Sequence, residues 1–190
     1  MKANFTITLV GSWVALFALF QTGGQALAMQ QAERTAVPVS VVEQDGRFSL
    51  SRGGQLYEIK GAGISDGDIA SLAAHGGNSF RNWRDQSSRD GLLILNEAEK
   101  HGVTVAMCIP IGRERHGFDY DDEEAVAQQL EFARSEVLRY KDHPALLLWI
   151  IGNEADLGAT NPRVFDAINE ISKMIHEVDG NHPTTTALTF

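Results

Sequence analysis

Cysteine is almost absent from this chain of 190 residues, and the single one, Cys108, excludes an intramolecular disulfide. It sits in the apolar run 103–109, where it reads as a small buried hydrophobe rather than a reactive thiol. Phosphate-cradling loops are missing too. Gly61-Ala62-Gly63 lacks the third glycine of a dinucleotide fingerprint, and no lysine precedes a serine or threonine as a nucleoside-triphosphate loop requires. Nucleotide binding thereby loses its usual support. Histidine is scattered: His75, His101, His143, His176 and His182 fall at helix ends or before prolines, and no two share metal-ligand spacing on a helix. The acidic run 119–124, broken only by Tyr120, lacks the glycine and closing glutamate of a hand-type calcium loop. It suits instead the positive end of the helix that follows. No cofactor and no catalytic metal are expected.

Long apolar runs are confined to the start. Lys2 supplies a positive charge, residues 5–20 are mostly apolar, and Ala26-Leu27-Ala28 offers a small-residue cleavage site, so residues 1–28 read as a secretory signal peptide cut after Ala28. A membrane span is the competing reading, but it needs about 20 apolar residues, and the polar stretch 21–25 interrupts the run too early. The expectation is an exported protein, periplasmic or extracellular, with no membrane attachment after cleavage. Positive charge is also scarce. Residues 29–190 keep 15 basic side chains (the 16 of the chain less Lys2) against 25 acidic ones, a formal charge of −10, which excludes nucleic acid as a partner. Without disulfides, stability must come from the core, and a domain of about 150 residues buries roughly 70% of the surface its unfolded chain exposes.

What remains alternates strand and helix. After a polar stretch at 30–36, short strand-like runs at 39–42, 47–50 and 56–59 are separated by turns at Asp45-Gly46 and Gly53-Gly54. Ser65 and Asp66 can cap a helix over 67–75; strand 78–83, helix 89–101 and strand 103–109 follow, with Gly102 and Pro110 as stops. Val126, Leu130, Ala133, Val137 and Tyr140 share one helical face, as do Val164, Ile168, Ile171, Ile175 and Val178. Asn161-Pro162 starts the second of these helices, Gly180 and Pro183 stop it, and 184–189 is a last strand candidate. Four βα units in succession favour parallel strands with right-handed crossovers, either in a doubly wound sheet or in part of a barrel.

The most informative strand is 145–151, a continuous apolar run that leads through Gly152 into Asn153-Glu154. Such runs mark strands covered on both faces, and in parallel sheets chemistry gathers at their carboxyl ends. Glu154 stands at such an end. The alternative is a glutamate that merely leaves the core and opens a solvated loop.

Four stretches carry a resemblance. Leu56-Tyr57-Glu58-Ile59-Lys60-Gly61, Gly77-Asn78-Ser79-Phe80-Arg81, the loop Gly112-Arg113-Glu114-Arg115-His116-Gly117-Phe118-Asp119 and Trp149-Ile150-Ile151-Gly152-Asn153-Glu154 together resemble clan A glycoside hydrolases, most of all family 2 catalytic domains. The resemblance implies a (β/α)8 TIM barrel of which residues 45–190 hold the first four βα units and the fifth strand, preceded by a short β-hairpin whose first strand lies in 29–44. It makes Glu154 the general acid/base, Asn153 a hydrogen-bond donor to the sugar beside the scissile bond, and Arg81 a residue below the catalytic pair. Trp83 either stacks on a sugar face or fills the core; His116 either touches a sugar hydroxyl or is solvated. A carboxylic acid holds the proton that a leaving glycosidic oxygen needs when burial or a neighbouring carboxylate raises its pKa.

One departure is plain. A retaining enzyme needs a second carboxylate about 5–5.5 Å away, which the family carries on its seventh strand, while this chain reaches a fifth. Asp66, Asp85, Asp119, Asp121 and Asp156 also lie near strand ends, but the resemblance makes none of them a substitute. The expectation is therefore an exported glycoside hydrolase, acting by retention on an oligo- or polysaccharide with β-linked O-glycosyl bonds, of which this chain is an amino-terminal fragment. The open barrel edges of such a fragment would favour self-association. The alternatives are a non-catalytic carbohydrate-binding or interaction protein on a partial hydrolase scaffold, and a truncated product without a function of its own.

Overall fold

In a computed structural model, residues 35–64, 67–83 and 90–189 are described. The leader 1–28, the Ser65 and Asp66 cap, and Asp85 and Arg89 lie outside the described residues. The fold below belongs to the unit that begins at Thr35. Strands β1 (Val39–Gln44), β2 (Arg47–Arg52) and β3 (Gln55–Tyr57) form an antiparallel sheet in that order. Strands β4 (Gly61–Gly63), β5 (Ser79–Arg81), β6 (Thr104–Ile109), β7 (Leu146–Asn153) and β8 (Thr184–Ala187) form a parallel sheet in sequence order. Helices α1 (Ile69–Ala74), α2 (Gly91–Lys100), α3 (Glu123–Tyr140) and α4 (Arg163–Val178) supply the four crossovers. Four βα units and a fifth strand in simple order are a partial TIM barrel, as expected.

The hairpin gains a third strand. Gly53 and Gly54, at φ of +57° and +79°, reverse the chain so that Gln55–Tyr57 pairs back along Leu50–Arg52. The first barrel strand therefore starts at Gly61, not at Leu56. Tyr57 instead ties the small sheet to the barrel's amino-terminal end, its hydroxyl donating to the carbonyl of Asn78 at 2.8 Å and lying 3.0 Å from Thr104 Oγ1. Gly61 suits its place in β4 because a Cβ there would lie 2.3 Å from the carbonyl oxygen of Ser79.

Helix α1 is shorter than the expected 67–75. It is capped by Asp68, whose Oδ1 accepts from the amide of Ser71 at 3.0 Å. Helix α3 starts within the acidic run as expected, Asp122 Oδ1 accepting from the amides of Glu124 and Ala125 at 3.0 and 3.1 Å. The main core lies between helices and sheet. Leu95 and Ala98 of α2, Ala133 and Val137 of α3 and Ile171 and Ile175 of α4 meet Val105, Met107 and Ile109 of β6 and Trp149 and Ile151 of β7. Every residue of β6 is buried, Cys108 included. The opposite face of the sheet lines an open hollow of about 440 Å³ with Ala62, Ala106, Leu148, Ile150 and Thr185 on its wall and Arg81 at its side. Among the described residues no helix is long and apolar enough to cross a membrane.

Candidate active site

Strand β7 ends in two left-handed residues with Asn153 between them: Gly152 at φ +74° and Glu154 at φ +52°. Glycine suits position 152 for a second reason, since a Cβ there would lie 2.8 Å from Ile111 Cδ1 and Cγ1, and that side chain would have to shift. Replacing Gly152 by alanine should cost about 2 kcal/mol, the sum of left-handed strain and crowding against Ile111, read as a lower midpoint in urea unfolding. For Glu154 the left-handed backbone is itself worth about 1–2 kcal/mol of strain, the kind of local cost that gathers at functional positions. Hydrogen bonds hold it on both sides. Its amide donates to the carbonyl of Ala187 at 2.8 Å, one step beyond the Asn153 to Ala187 register of β7 and β8, and its carbonyl accepts from the amide of Leu157 at 3.3 Å and from the guanidinium of Arg115. The half-buried carboxyl group takes no hydrogen bond from another described residue.

Register brings Arg81 beside this turn. In β5, Arg81 is aligned with Gly63 of β4 and Ala106 of β6, and its Nη2 donates to Asn153 Oδ1. Because a guanidinium only donates, it must face the amide oxygen, which leaves the Asn153 amide nitrogen as a free donor among the described residues. The Arg81 Nε–H is buried and has no partner among the described residues. Trp83, two residues on, lies with its ring centroid 5.4 Å from the Arg81 guanidinium carbon. Its ring rests on the backbone of β4, where a Cβ on Gly63 would meet Trp83 Cη2 at 2.1 Å. Trp83 is 41% exposed, so it is no core residue: the ring lies on glycine and faces solvent. Four of the five expected site residues, Arg81, Trp83, Asn153 and Glu154, thus lie in one continuous cluster.

His116 does not join them through a hydrogen bond or ion pair. It is exposed, on a 3-10 turn over Glu114–His116, its amide donating to the carbonyl of Arg113 at 2.9 Å and its ring making no hydrogen bond or ion pair with another described residue. Its neighbours make the connections instead: Arg115 donates to Glu154, and Glu114 accepts from the amide of Asn161 at 3.1 Å. The loop is fixed at its base, where the Gly112 amide donates to Gln129 Oε1 and the Tyr120 hydroxyl donates to the Gly112 carbonyl, both at 2.6 Å. Burial pushes the Tyr120 phenol up to about 12, so it stays protonated as that donor. The motif containing these residues stood out in sequence, but only its histidine invited a sugar contact. A loop arginine that reaches a backbone carbonyl 39 residues away carries no local signal.

The three other candidate acids among the described residues are occupied. Asp156 accepts from the amide and hydroxyl of Thr189, Asp119 from the amide of Asp121, and Asp121 pairs with Arg163 at 3.3 Å. Among the described residues, no three His, Cys, Asp or Glu side chains converge as a metal site would require.

No curated protein matches this chain. Solved structures do match in fold. A β-D-glucuronidase from Dictyoglomus thermophilum shares 19% identity at a TM-score of 0.58, over 80% of this chain and 29% of its own. A family 2 β-galacturonidase from Eisenbergiella tayi, bound to galacturonate, shares 15% at 0.56, over 79% and 28%. A β-D-mannosidase from Dictyoglomus thermophilum shares 14% at 0.57, over 80% and 22%. The chain thus spans less than a third of each of these proteins. The model of the glycosyl hydrolases family 2 TIM barrel domain matches residues 66–187, more than half of the chain and the whole run from α1 to β8. The chain belongs to family 2 of the glycosyl hydrolases, and its parallel sheet is part of that family's TIM barrel domain.

Proposed function

We propose that this chain carries the acid/base half of an exported, retaining glycosidase acting on β-linked glycans. The observation that supports this most is the pairing at the carboxyl end of β7, where the Arg81 guanidinium takes up the Asn153 amide oxygen and leaves its nitrogen, among the described residues, as a donor on the residue next to Glu154. In this reading the Glu154 carboxyl gives its proton to the departing glycosidic oxygen and, as carboxylate, then takes one from the water that releases the sugar. Asn153 donates to a hydroxyl of the sugar next to the scissile bond. Arg81 holds the pair in place, and its Nε–H, without a partner among the described residues, is a donor for an acceptor brought by the second half of the site. Trp83 offers an exposed ring on which a sugar face can stack. The nucleophile, by the family's plan, stands at the end of a seventh strand, and the parallel sheet here has five.

Export rests on the apolar leader with its Ala26-Leu27-Ala28 site. The test compares this chain with the same chain continued through the reading frame that follows Phe190, on 4-nitrophenyl β-glycosides of glucuronate, galacturonate, mannose, glucose and galactose. We expect turnover only in the continued form, with the product anomer retained by proton NMR. An inverted product would overturn the retaining mechanism. Sugar binding by calorimetry without turnover in either form would favour a carbohydrate-binding module.

A further inference from the structure

A glutamate in the left-handed region must be held there, and besides its backbone bonds to Ala187 and Leu157 the side chain that holds Glu154 comes from the loop after β6. We propose that Arg115 is a positioning residue that fixes the backbone of Glu154 and so aims its carboxyl group; the inference rests on the reading of Glu154 as the general acid. Arg115 Nη1 donates to the carbonyl of Glu154 and, at 3.3 Å, to that of Leu157. Two carbonyls that converge on one guanidinium must turn the same way, which closes the chain into a turn directly after the acid. Glu114 grips the far end of the same segment. Its Oε2 accepts from the amides of Thr160 and Asn161, and its Oε1 from the Thr160 hydroxyl at 3.3 Å.

Two adjacent side chains of the loop after β6 therefore hold both ends of residues 154–161. The clasp has a firm base of its own. Gly112 is bonded through its amide to Gln129 and through its carbonyl to Tyr120, and the Phe118 ring covers it so closely that a Cβ would lie 2.1 Å from Phe118 Cγ. Loop and acid are thus coupled through rigid groups rather than through solvent. A loop so anchored transmits its position to Glu154 with little slack, which is what a group that must meet a particular oxygen atom requires.

The test uses the 190-residue chain, labelled for NMR, with Glu154 Cα and Cβ shifts reporting its backbone and hydrogen exchange reporting its amide bond to Ala187. In Arg115→Ala we expect the Glu154 shifts to leave the left-handed range and its amide to exchange about tenfold faster, while Leu147 and Trp149 in β7 keep their protection. Arg115→Lys, with a donor that reaches one carbonyl, should restore part of both signals. Glu154 signals unchanged in Arg115→Ala would overturn the proposal. So would protection lost throughout β7 in both variants, since Arg115 would then serve stability in general. The acid assignment fails by a separate measurement, the leaving-group dependence of Glu154→Gln, which does not touch the clasp.

Discussion

Glutamine in place of Glu154, in the continued form proposed above, should lower kcat on glycosides with poor leaving groups by about 10²–10⁴-fold. The substitution keeps the shape of the side chain and removes only its proton chemistry. An alkoxide leaving group cannot depart unprotonated, so the first step stalls. A nitrophenolate can, so on activated aryl glycosides kcat/KM should change far less. The second step still lacks a base to activate water, so the glycosyl-enzyme should accumulate and show as a burst of nitrophenol followed by slow turnover. Azide needs no base. Added to the variant, it should restore turnover on the activated substrate and yield a glycosyl azide of retained configuration. Equal loss on both substrate types, without a burst, would sink the assignment of Glu154 to proton transfer. The comparison is informative because the Glu154 backbone is held by its amide and carbonyl, which glutamine keeps.

How much of this was legible from residue order differs by element. Strands β6 and β7 show as unbroken apolar runs and α3 and α4 by their periodicity, because burial on both faces, or on one stripe, leaves a mark on consecutive residues. Glu154 was legible for the same reason, as the first acid after such a run. The start of the barrel was not. Residues 56–61 resemble a barrel strand, yet so short a run cannot show which sheet it joins, and the reversal at Gly53-Gly54 decided it for Leu56 and Tyr57. The cap of α1 moved from Ser65 and Asp66 to Asp68 because three capping residues lie within four positions and only geometry chooses among them. Arg115 and Glu114 escaped because their partners are backbone groups of a distant loop. Trp149 likewise reads as one more apolar residue of β7, with no hint of the acid that its indole meets.

That acid, Asp179, should be among the costliest residues to remove from the fold. It ends α4, its amide donating to the carbonyl of Ile175 at 2.7 Å. Its carboxylate is buried, 2% exposed, and accepts from Trp149 Nε1 at 2.6 Å, from His182 Nδ1 at 2.9 Å and from the amide of Asn181 at 3.0 Å. These bonds join the middle of β7, the end of α4 and the turn into β8, so one side chain sets the spacing of the last βα unit, which carries Glu154. Asp179→Ala leaves the indole N–H and the imidazole N–H unpaired in the core, and the loss should reach about 3–5 kcal/mol in urea unfolding. Asp179→Asn keeps an acceptor and the volume, and should lose about 1–3 kcal/mol. The two losses carry a pH signature. Burial raises the pKa of Asp179, but the hydrogen bonds from His182 and Trp149 outweigh it and hold the carboxyl below its ordinary range. With the folded value below the unfolded one of about 3.9, the ionised group contributes fully above the unfolded value, and the contribution is lost as pH falls through the folded one. The stability gap between the native chain and Asp179→Asn should therefore narrow from pH 5 to pH 3. A gap that stays constant over that range, or an alanine variant within about 1 kcal/mol of the native chain, would show that the carboxylate does not hold β7, α4 and β8 together.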